Sequence, residues 1–155
     1  MSHSEVSPVE TIERADAGLD DWVAEWYRAL DRHDEISDVL PYLVDDGLEL
    51  HFPEGIYCGH DGFRKWYEAV THRFFDEVHE VRRVVGQPWV NDRTSLQVVV
   101  NWQARVWDPP RPNSAWLGFD AYQTWEVVRS PESGKAVIKR YVVDRLEPMP
   151  GSATL

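Results

Sequence analysis

The chain has 155 residues, 43% of them hydrophobic, with a formal net charge of −11 and a single cysteine, Cys58. This length fits one domain, and the apolar content excludes a disordered chain. The acidic balance argues against nucleic acid and against anionic membranes as partners, and one cysteine cannot form a disulfide within the chain.

No apolar run in the sequence approaches the ~18 residues of a membrane span. The N-terminal MSHSEVSPVETIERAD is polar and acidic, unlike a secretory signal peptide. We therefore expect a cytoplasmic protein without a membrane partner. We predict a flexible N-terminal arm over 1–17, one folded domain over 18–148, and a C-terminal tail over 149–155.

Three segments in the first half of the chain have apolar residues at helical spacing. In GLDDWVAEWYRALDRHD the apolar stripe consists of Leu19, Trp22, Val23, Trp26, Tyr27 and Leu30. A second, shorter helix is predicted from Ile36 to Leu43, with Pro41 interrupting it. The segment HDGFRKWYEAVTHRFF predicts the third helix.

Alternation of apolar and polar residues indicates strands elsewhere. GLELHFP, 47–53, predicts a short strand after the second helix, with a turn at Glu54 and Gly55. Four further strands are predicted at about 79–86, 95–107, 116–129 and 136–147. SPESG forms a tight hairpin turn between the last two. The element order predicts an α+β fold, with three helices in all packed on one face of a curved antiparallel sheet.

Four segments, in this order and spacing, resemble the nuclear transport factor 2-like superfamily and its SnoaL-like branch. They are YRALDRHDEISDVLPYLVDDGLEL, HFPEGIYCGHDGFRKWY, VHEVRRVV and SGKAVIKRYVVD. The resemblance covers about Trp22 to Asp144. It implies a cone in which the sheet wraps around the long N-terminal helix and leaves a deep pocket open at one end. It also implies a homodimer. The superfamily contains polyketide cyclases, dehydratases, ketosteroid isomerases and non-catalytic binding domains.

The resemblance also implies a catalytic pair. The family's dehydratases and dehydrochlorinases use an Asp at the end of helix one and a His at the start of the strand after helix three. Asp31 and His79 fall on those positions, and Asp31 also continues the apolar row of helix one, one turn beyond Tyr27. The carboxylate would orient the imidazole, which would remove a proton from carbon. The alternative is a structural histidine that forms a hydrogen bond inside the cone.

Alternating strand residues supply the remaining pocket candidates. Tyr27 lies on helix one, and the strands contribute Phe52, Trp102, Arg105, Asp120, Tyr122 and Tyr141. A shift of one residue moves every side chain of a strand to the other face, so the sequence leaves open which polar row lines the pocket. Asp120 suggests a second mechanism, a ketosteroid-type isomerase with His51 or Glu54 as the base.

The leading interpretation is a lyase or isomerase that needs no cofactor and acts on a small hydrophobic molecule, including cyclic ones. The histidines have no zinc-site spacing, so we expect no metal. The alternative function is a non-catalytic ligand-binding or assembly domain of the same fold. The enzyme hypothesis requires Asp31 and His79 to meet on the wall of a cavity.

Overall fold

The computed structural model describes residues 18–155. Within them the chain forms three α-helices, a 3₁₀ turn and six strands. The predicted N-terminal arm, 1–17, lies outside the described residues. The helical elements are α1 Leu19–Asp31, α2 Ile36–Val39, the 3₁₀ turn Leu40–Tyr42, and α3 Gly59–Arg73. Pro41 has no N–H and clashes with the preceding turn, which explains why α2 ends early and continues as a 3₁₀ turn.

The six strands form one sheet. They are β1 Glu49–Phe52, β2 Gly55–Cys58, β3 Phe74–Gly86, β4 Arg93–Val106, β5 Ala115–Arg129 and β6 Ala136–Pro148. Their order is β2-β1-β6-β5-β4-β3. Every neighbouring pair is antiparallel except β1 and β6, which are parallel. The predicted α+β class is confirmed, and the curved sheet does not close into a barrel.

Two boundaries differ from the predicted ones. Gly55, predicted to form a turn with Glu54, instead begins strand β2, which pairs with β1. The third helix ends at Arg73, and Phe74 and Phe75 already belong to β3, opposite Val106 and Arg105. Phe74 and Phe75 are apolar and fit the stripe of a helix as well as a strand. They form a strand because they pair with β4, which is a tertiary contact.

The core lies between α1 and the inner face of the sheet. Trp26 on α1 and Trp125 on β5 are both fully buried. Their rings meet edge to face with centroids 6.5 Å apart, a spacing typical of aromatic pairs. This packing holds α1 inside the curve of the sheet. The C-terminal end of α1 then lies against β3, which brings Asp31 beside His79.

The pairing of β4 and β5 assigns their residues to two faces. Val100 lies opposite Ala121, and the next pair along is Asn101 with Asp120. Because neighbouring residues of a strand point to opposite faces, these two pairs lie on opposite sides of the sheet. Val100 and Ala121 face the interior, so Asn101 and Asp120 belong to the outer face.

The C-terminal residues pack against the start of β5. The Met149 N–H donates to Gly118 O at 2.9 Å, and the Ala153 N–H donates to Trp116 O at 2.9 Å. This path brings Leu155 to the cavity described below. Across residues 18–155, no helix is both long and apolar enough to span a membrane.

Candidate active site

A cavity of about 90 Å³ lies between α1, α3 and the inner face of the sheet. Its apolar wall includes Leu30, Phe52, Trp66, Val70, Phe74, Val100, Trp102, Ala121, Val143 and Leu146. Its polar lining consists of Tyr27, Glu54, Tyr67, Thr71, Glu77, His79, Gln123 and Tyr141. A mostly apolar cavity with a few polar groups is typical of a small-molecule site.

Asp31 and His79 meet at this cavity. His79 Nδ1 lies 2.5 Å from Asp31 Oδ1, and the backbone N–H of His79 donates to Asp31 Oδ2 at 2.8 Å. Both carboxylate oxygens are therefore bound by the same residue, which fixes the carboxylate and the ring together. The side chain of Asp31 is 19% exposed and that of His79 is 12% exposed, so the pair is largely shielded from water.

This contact sets the tautomer of His79. A carboxylate only accepts hydrogen bonds, so Nδ1 carries the proton and Nε2 of the neutral ring has a free lone pair. Among the described residues no group forms a hydrogen bond with Nε2. His79 lines the cavity and Asp31 does not. The imidazole therefore presents a basic nitrogen to a ligand, with the carboxylate behind it.

Two aromatic rings hold the imidazole in its plane. The Tyr27 ring stacks on His79 with centroids 4.7 Å apart and 27° between the planes. Trp102 lies at 6.3 Å and 23°. The ring of His79 is thus confined by packing as well as by its hydrogen bonds, as a preorganised base requires.

A buried polar network lies next to the base. The Tyr27 hydroxyl donates to Gln123 Oε1 at 2.9 Å and lies 2.9 Å from the Tyr141 hydroxyl. Trp125 Nε1–H also donates to Gln123 Oε1, at 3.0 Å. Two donors on Oε1 orient the amide of Gln123, whose Nε2 has no hydrogen-bond partner among residues 18–155. Gln123 lines the cavity, so its N–H groups are available to a ligand.

Burial keeps these tyrosines protonated. The pKa of Tyr27 is raised well above its usual value, mainly by burial. Burial is also the main reason that the pKa of Tyr141 is raised. The pKa of Tyr67, which also lines the cavity, rises to about 12, chiefly through burial and then through the charges of Asp34 and Glu77. All three phenols are neutral hydrogen-bond donors at physiological pH.

A second histidine–carboxylate pair borders the same cavity. His33 Nε2 lies 2.5 Å from Glu77 Oε2, and Trp102 Nε1–H donates to Glu77 Oε1 at 3.0 Å. Here the carboxylate lines the cavity and the histidine does not. The side chain of Glu77 is 9% exposed and that of His33 is 28% exposed.

Sequence reasoning missed Gln123, Glu77 and His33. Signals in the sequence existed for Gln123 and Glu77, and none for His33, which lies in the turn after α1. Gln123 is the one polar residue in the alternate row Phe119, Ala121, Gln123, Trp125, Val127, and a single polar residue in an apolar row faces the interior. Glu77 precedes His79 by two residues on one strand and so shares its face.

Comparison with solved structures gives many matches to this fold. A hexachlorocyclohexane dehydrochlorinase, LinA-type3, from Novosphingobium barchaimii LL02 is 16% identical with a TM-score of 0.70, over 92% of this chain and 94% of that one. A protein from Novosphingobium aromaticivorans, provisionally assigned as a scytalone dehydratase, is 16% identical with a TM-score of 0.67, over 95% and 92%. A ketosteroid isomerase-like protein from Erwinia carotovora atroseptica is 18% identical with a TM-score of 0.64, over 86% and 95%.

The chain has the nuclear transport factor 2-like fold. At these identities the likeness establishes the fold and leaves the activity open. No protein-family profile matches the sequence, and no curated protein matches it. Four of the predicted pocket residues line the cavity together with His79: Tyr27, Phe52, Trp102 and Tyr141.

Three predicted pocket residues do not line this cavity. They lie on the outer face of the sheet, on the other side from Trp102. The three residues are Arg105, Asp120 and Tyr122. Arg105 donates to Ser114 Oγ at 2.7 Å, and the guanidinium of Arg145 lies over the Tyr122 ring at 3.8 Å. The expectation for these three was wrong because the apolar row of β4 and β5, and not the polar row, faces α1.

The ketosteroid-type mechanism required Asp120 in the cavity, and Asp120 lies on the outer face of the sheet. Asp120 accepts from Asn101 Nδ2 at 2.9 Å on the outer face. His51 lies 2.5 Å from Glu49 and does not line the cavity. Glu54 does line it, and accepts from Trp66 Nε1–H at 3.2 Å. Over residues 18–155, no three His, Cys, Asp or Glu side chains are grouped so as to hold a metal ion.

Proposed function

We propose that the protein is a lyase or isomerase that moves protons to and from carbon in a small hydrophobic molecule, including cyclic ones. The observation that carries the proposal is the Asp31–His79 pair, in which a histidine with a free Nε2 lies on the wall of the cavity. General acid–base catalysis requires a base of this kind within reach of the ligand.

The proposed step begins when His79 Nε2 takes a proton from carbon. In an elimination, the electrons of the broken C–H bond form a double bond, and the leaving group departs from the neighbouring carbon with its bonding pair. In an isomerisation, the imidazolium returns the proton to a different carbon. Asp31 stabilises the imidazolium in both cases, because the carboxylate lies against the proton on Nδ1.

Gln123 is the best-placed donor for charge that develops on a substrate oxygen. Its carbonyl oxygen is occupied by Tyr27 and Trp125, which turns the amide N–H groups away from them. Preorganised donors of this kind stabilise an enolate or alkoxide in the transition state. This favours substrates in which the acidic C–H bond lies beside a carbonyl or another oxygen.

Solved structures with this fold support the class of reaction. They include a hexachlorocyclohexane dehydrochlorinase and a ketosteroid isomerase-like protein, which represent elimination and isomerisation. The alternative, a non-catalytic ligand-binding domain, is favoured by the same apolar cavity but gives no role to a fixed base with a free nitrogen.

The test is exchange of carbon-bound protons with solvent. A panel of cyclic ketones and of hydroxylated and halogenated cyclic compounds is incubated with the protein in D₂O, and NMR follows deuterium incorporation and loss of water or halide. We expect exchange or elimination for at least one compound, lost in His79→Gln and kept in His60→Gln. His60 is a matched control because it binds Val44 O outside the cavity. Equal rates in both variants would contradict the proposal.

A further inference from the structure

Glu77 is a nearly buried carboxylate that the proposed step does not use. Its side chain is 9% exposed and it lines the cavity two residues before His79. We propose that Glu77 is a specificity-determining residue that binds a hydroxyl or protonated amine of the ligand and excludes anionic ligands. The inference rests on the proposed function in that it concerns the same cavity, and it names the substrate class.

The hydrogen bonds of Glu77 leave it room for a ligand. An ionised carboxylate offers about four acceptor positions on its two oxygens. Trp102 Nε1–H takes one position on Oε1, and His33 Nε2 takes one on Oε2. Each oxygen therefore keeps a lone pair, and the residue faces the cavity. A hydroxyl or ammonium group of the ligand supplies the missing donor.

The two protein contacts also fix the carboxylate, because each binds a different oxygen. Trp102 is itself part of the cavity wall, with Phe74 packed edge-on at 5.1 Å. His33 follows the end of α1, where its N–H donates to Leu30 O at 3.0 Å. The carboxylate is thus held by a strand residue inside and by the helix end outside. His33 acts through Glu77 and is a positioning residue.

The charges around the cavity favour the same class of ligand. Among residues 18–155, the side chains that line it include the carboxylates of Glu54 and Glu77 and no Lys or Arg. Asp31 adds a third carboxylate directly behind His79. A ligand carboxylate placed here would face like charges in a poorly hydrated site without a permanent cation to pair with, which is strongly unfavourable.

Three probes of similar size test the inference directly: benzylamine, which is protonated at neutral pH, benzyl alcohol and benzoate. Dissociation constants come from NMR titration of the labelled protein, with the Trp102 indole N–H as the local reporter. For the wild type we expect benzylammonium and benzyl alcohol to bind and benzoate to bind at least about tenfold more weakly, as expected when a charge-assisted hydrogen bond is replaced by repulsion.

Glu77→Gln keeps the shape of the side chain and removes its charge. We expect it to reduce the preference for benzylammonium over benzoate about tenfold. Glu80→Gln is the matched control, because Glu80 lies on the same strand, is 65% exposed and does not line the cavity; there the preference stays within about threefold of the wild type. An unchanged preference in Glu77→Gln would overturn the inference.

The wild-type titration keeps the test decisive if Glu77→Gln does not fold. The inference would be overturned without any variant if benzoate bound as tightly as benzylammonium. It would also be overturned if none of the three probes shifted the Trp102 signal. The measurement needs no turnover, so it is separate from the exchange experiment. If His79→Gln and the wild type exchange equally while the charge preference holds, the proposed function fails and the role of Glu77 stands.

Discussion

The cavity is bordered by two histidine–carboxylate pairs that have the same chemistry in opposite orientations. In the first pair the imidazole of His79 lines the cavity and Asp31 lies behind it. In the second pair the carboxylate of Glu77 lines the cavity and His33 lies behind it. The first pair therefore presents a base to the ligand, and the second presents a hydrogen-bond acceptor with negative charge.

The difference follows from the elements that supply each residue. β3 contributes Glu77 and His79, the members of the two pairs that face the cavity. The end of α1 contributes Asp31, and the turn directly after it contributes His33. Whichever group lies on the strand faces the ligand, and the group from the helix end supports it. The position on the fold, and not the type of residue, therefore decides which partner meets the ligand.

The largest effect is expected from His79→Gln, which removes the base but keeps a polar side chain. General base catalysis contributes about 10²–10⁴-fold to rate, so we expect a loss of that size in exchange or elimination, measured by NMR on the first substrate found. The corresponding change in the second pair, His33→Gln, should lower the rate much less. Comparable losses in both variants would remove the functional distinction between the pairs.

Asp31→Asn should have the next largest effect. Asn replaces one of the two carboxylate oxygens with an N–H₂ group, which only donates, so it cannot accept from both N–H groups of His79. With the N–H₂ group facing Nδ1, the ring loses the partner that keeps the proton there. We expect a rate loss of about 10²-fold and a shift of the neutral ring toward the Nε2–H tautomer. The ¹⁵N chemical shifts of the imidazole report the tautomer. A ring that keeps Nδ1–H in the variant would show that Asp31 does not set it.

Tyr27→Phe tests the network beside the first pair. The change removes one of the two donors to Gln123 Oε1 and the hydroxyl partner of Tyr141, so we expect the free energy of unfolding to fall by about 1–3 kcal/mol. Chemical denaturation measures this. Tyr122→Phe is the matched control on the outer face, where a change within about 0.5 kcal/mol is expected. Equal losses would contradict the assignment of the two faces.

A smaller effect on the free energy of unfolding should appear at alkaline pH, caused by one tyrosine beside each pair. Burial is the largest cause of the raised pKa of Tyr27, and the charge of Asp31 adds to it. Burial is also the largest cause that raises the pKa of Tyr67 to about 12, followed by the charges of Asp34 and Glu77. A raised pKa in the folded state stabilises the fold below about pH 10, the value for an unfolded tyrosine, and this stability is lost as pH rises through the folded pKa.

Denaturation between about pH 9 and pH 12 should therefore show a falling free energy of unfolding. The fall should be shallower in Tyr27→Phe and in Tyr67→Phe than in the wild type. Phenolate absorbance followed in parallel should lag behind that of the urea-unfolded protein. A fall of the same slope in all three proteins would show that neither tyrosine contributes to it.

Much of the fold could be predicted from the sequence because local patterns carry it. The apolar stripe of α1 ends at Leu30, and the helix ends at Asp31. The turn SPESG lies between β5 and β6, as predicted. Strand β2 was missed because its four residues, GIYC, have no clear alternation and are exposed on alternate positions. Only pairing with β1 makes them a strand. The homodimer stays a prediction.

The site was less predictable, because it depends on which face of each strand is buried. Trp102 and Arg105 lie on the same strand, yet one lines the cavity and the other contacts Ser114 on the outer face. The resemblance suggested Asp31 and His79, and the structure brings them together. It did not suggest Glu77, Gln123 or His33, whose roles arise from contacts across 25 residues or more.

The α+β order and the position of Asp31 at the end of the first helix could be predicted from the sequence alone, because helical and strand periodicities are properties of neighbouring residues. Three features could not be predicted in this way: which row of β4 and β5 faces the cavity, which histidine pairs with which carboxylate, and which member of each pair lines the cavity. Those outcomes depend on strand register and on how α1 packs into the sheet, and both are set by contacts between residues far apart in the chain.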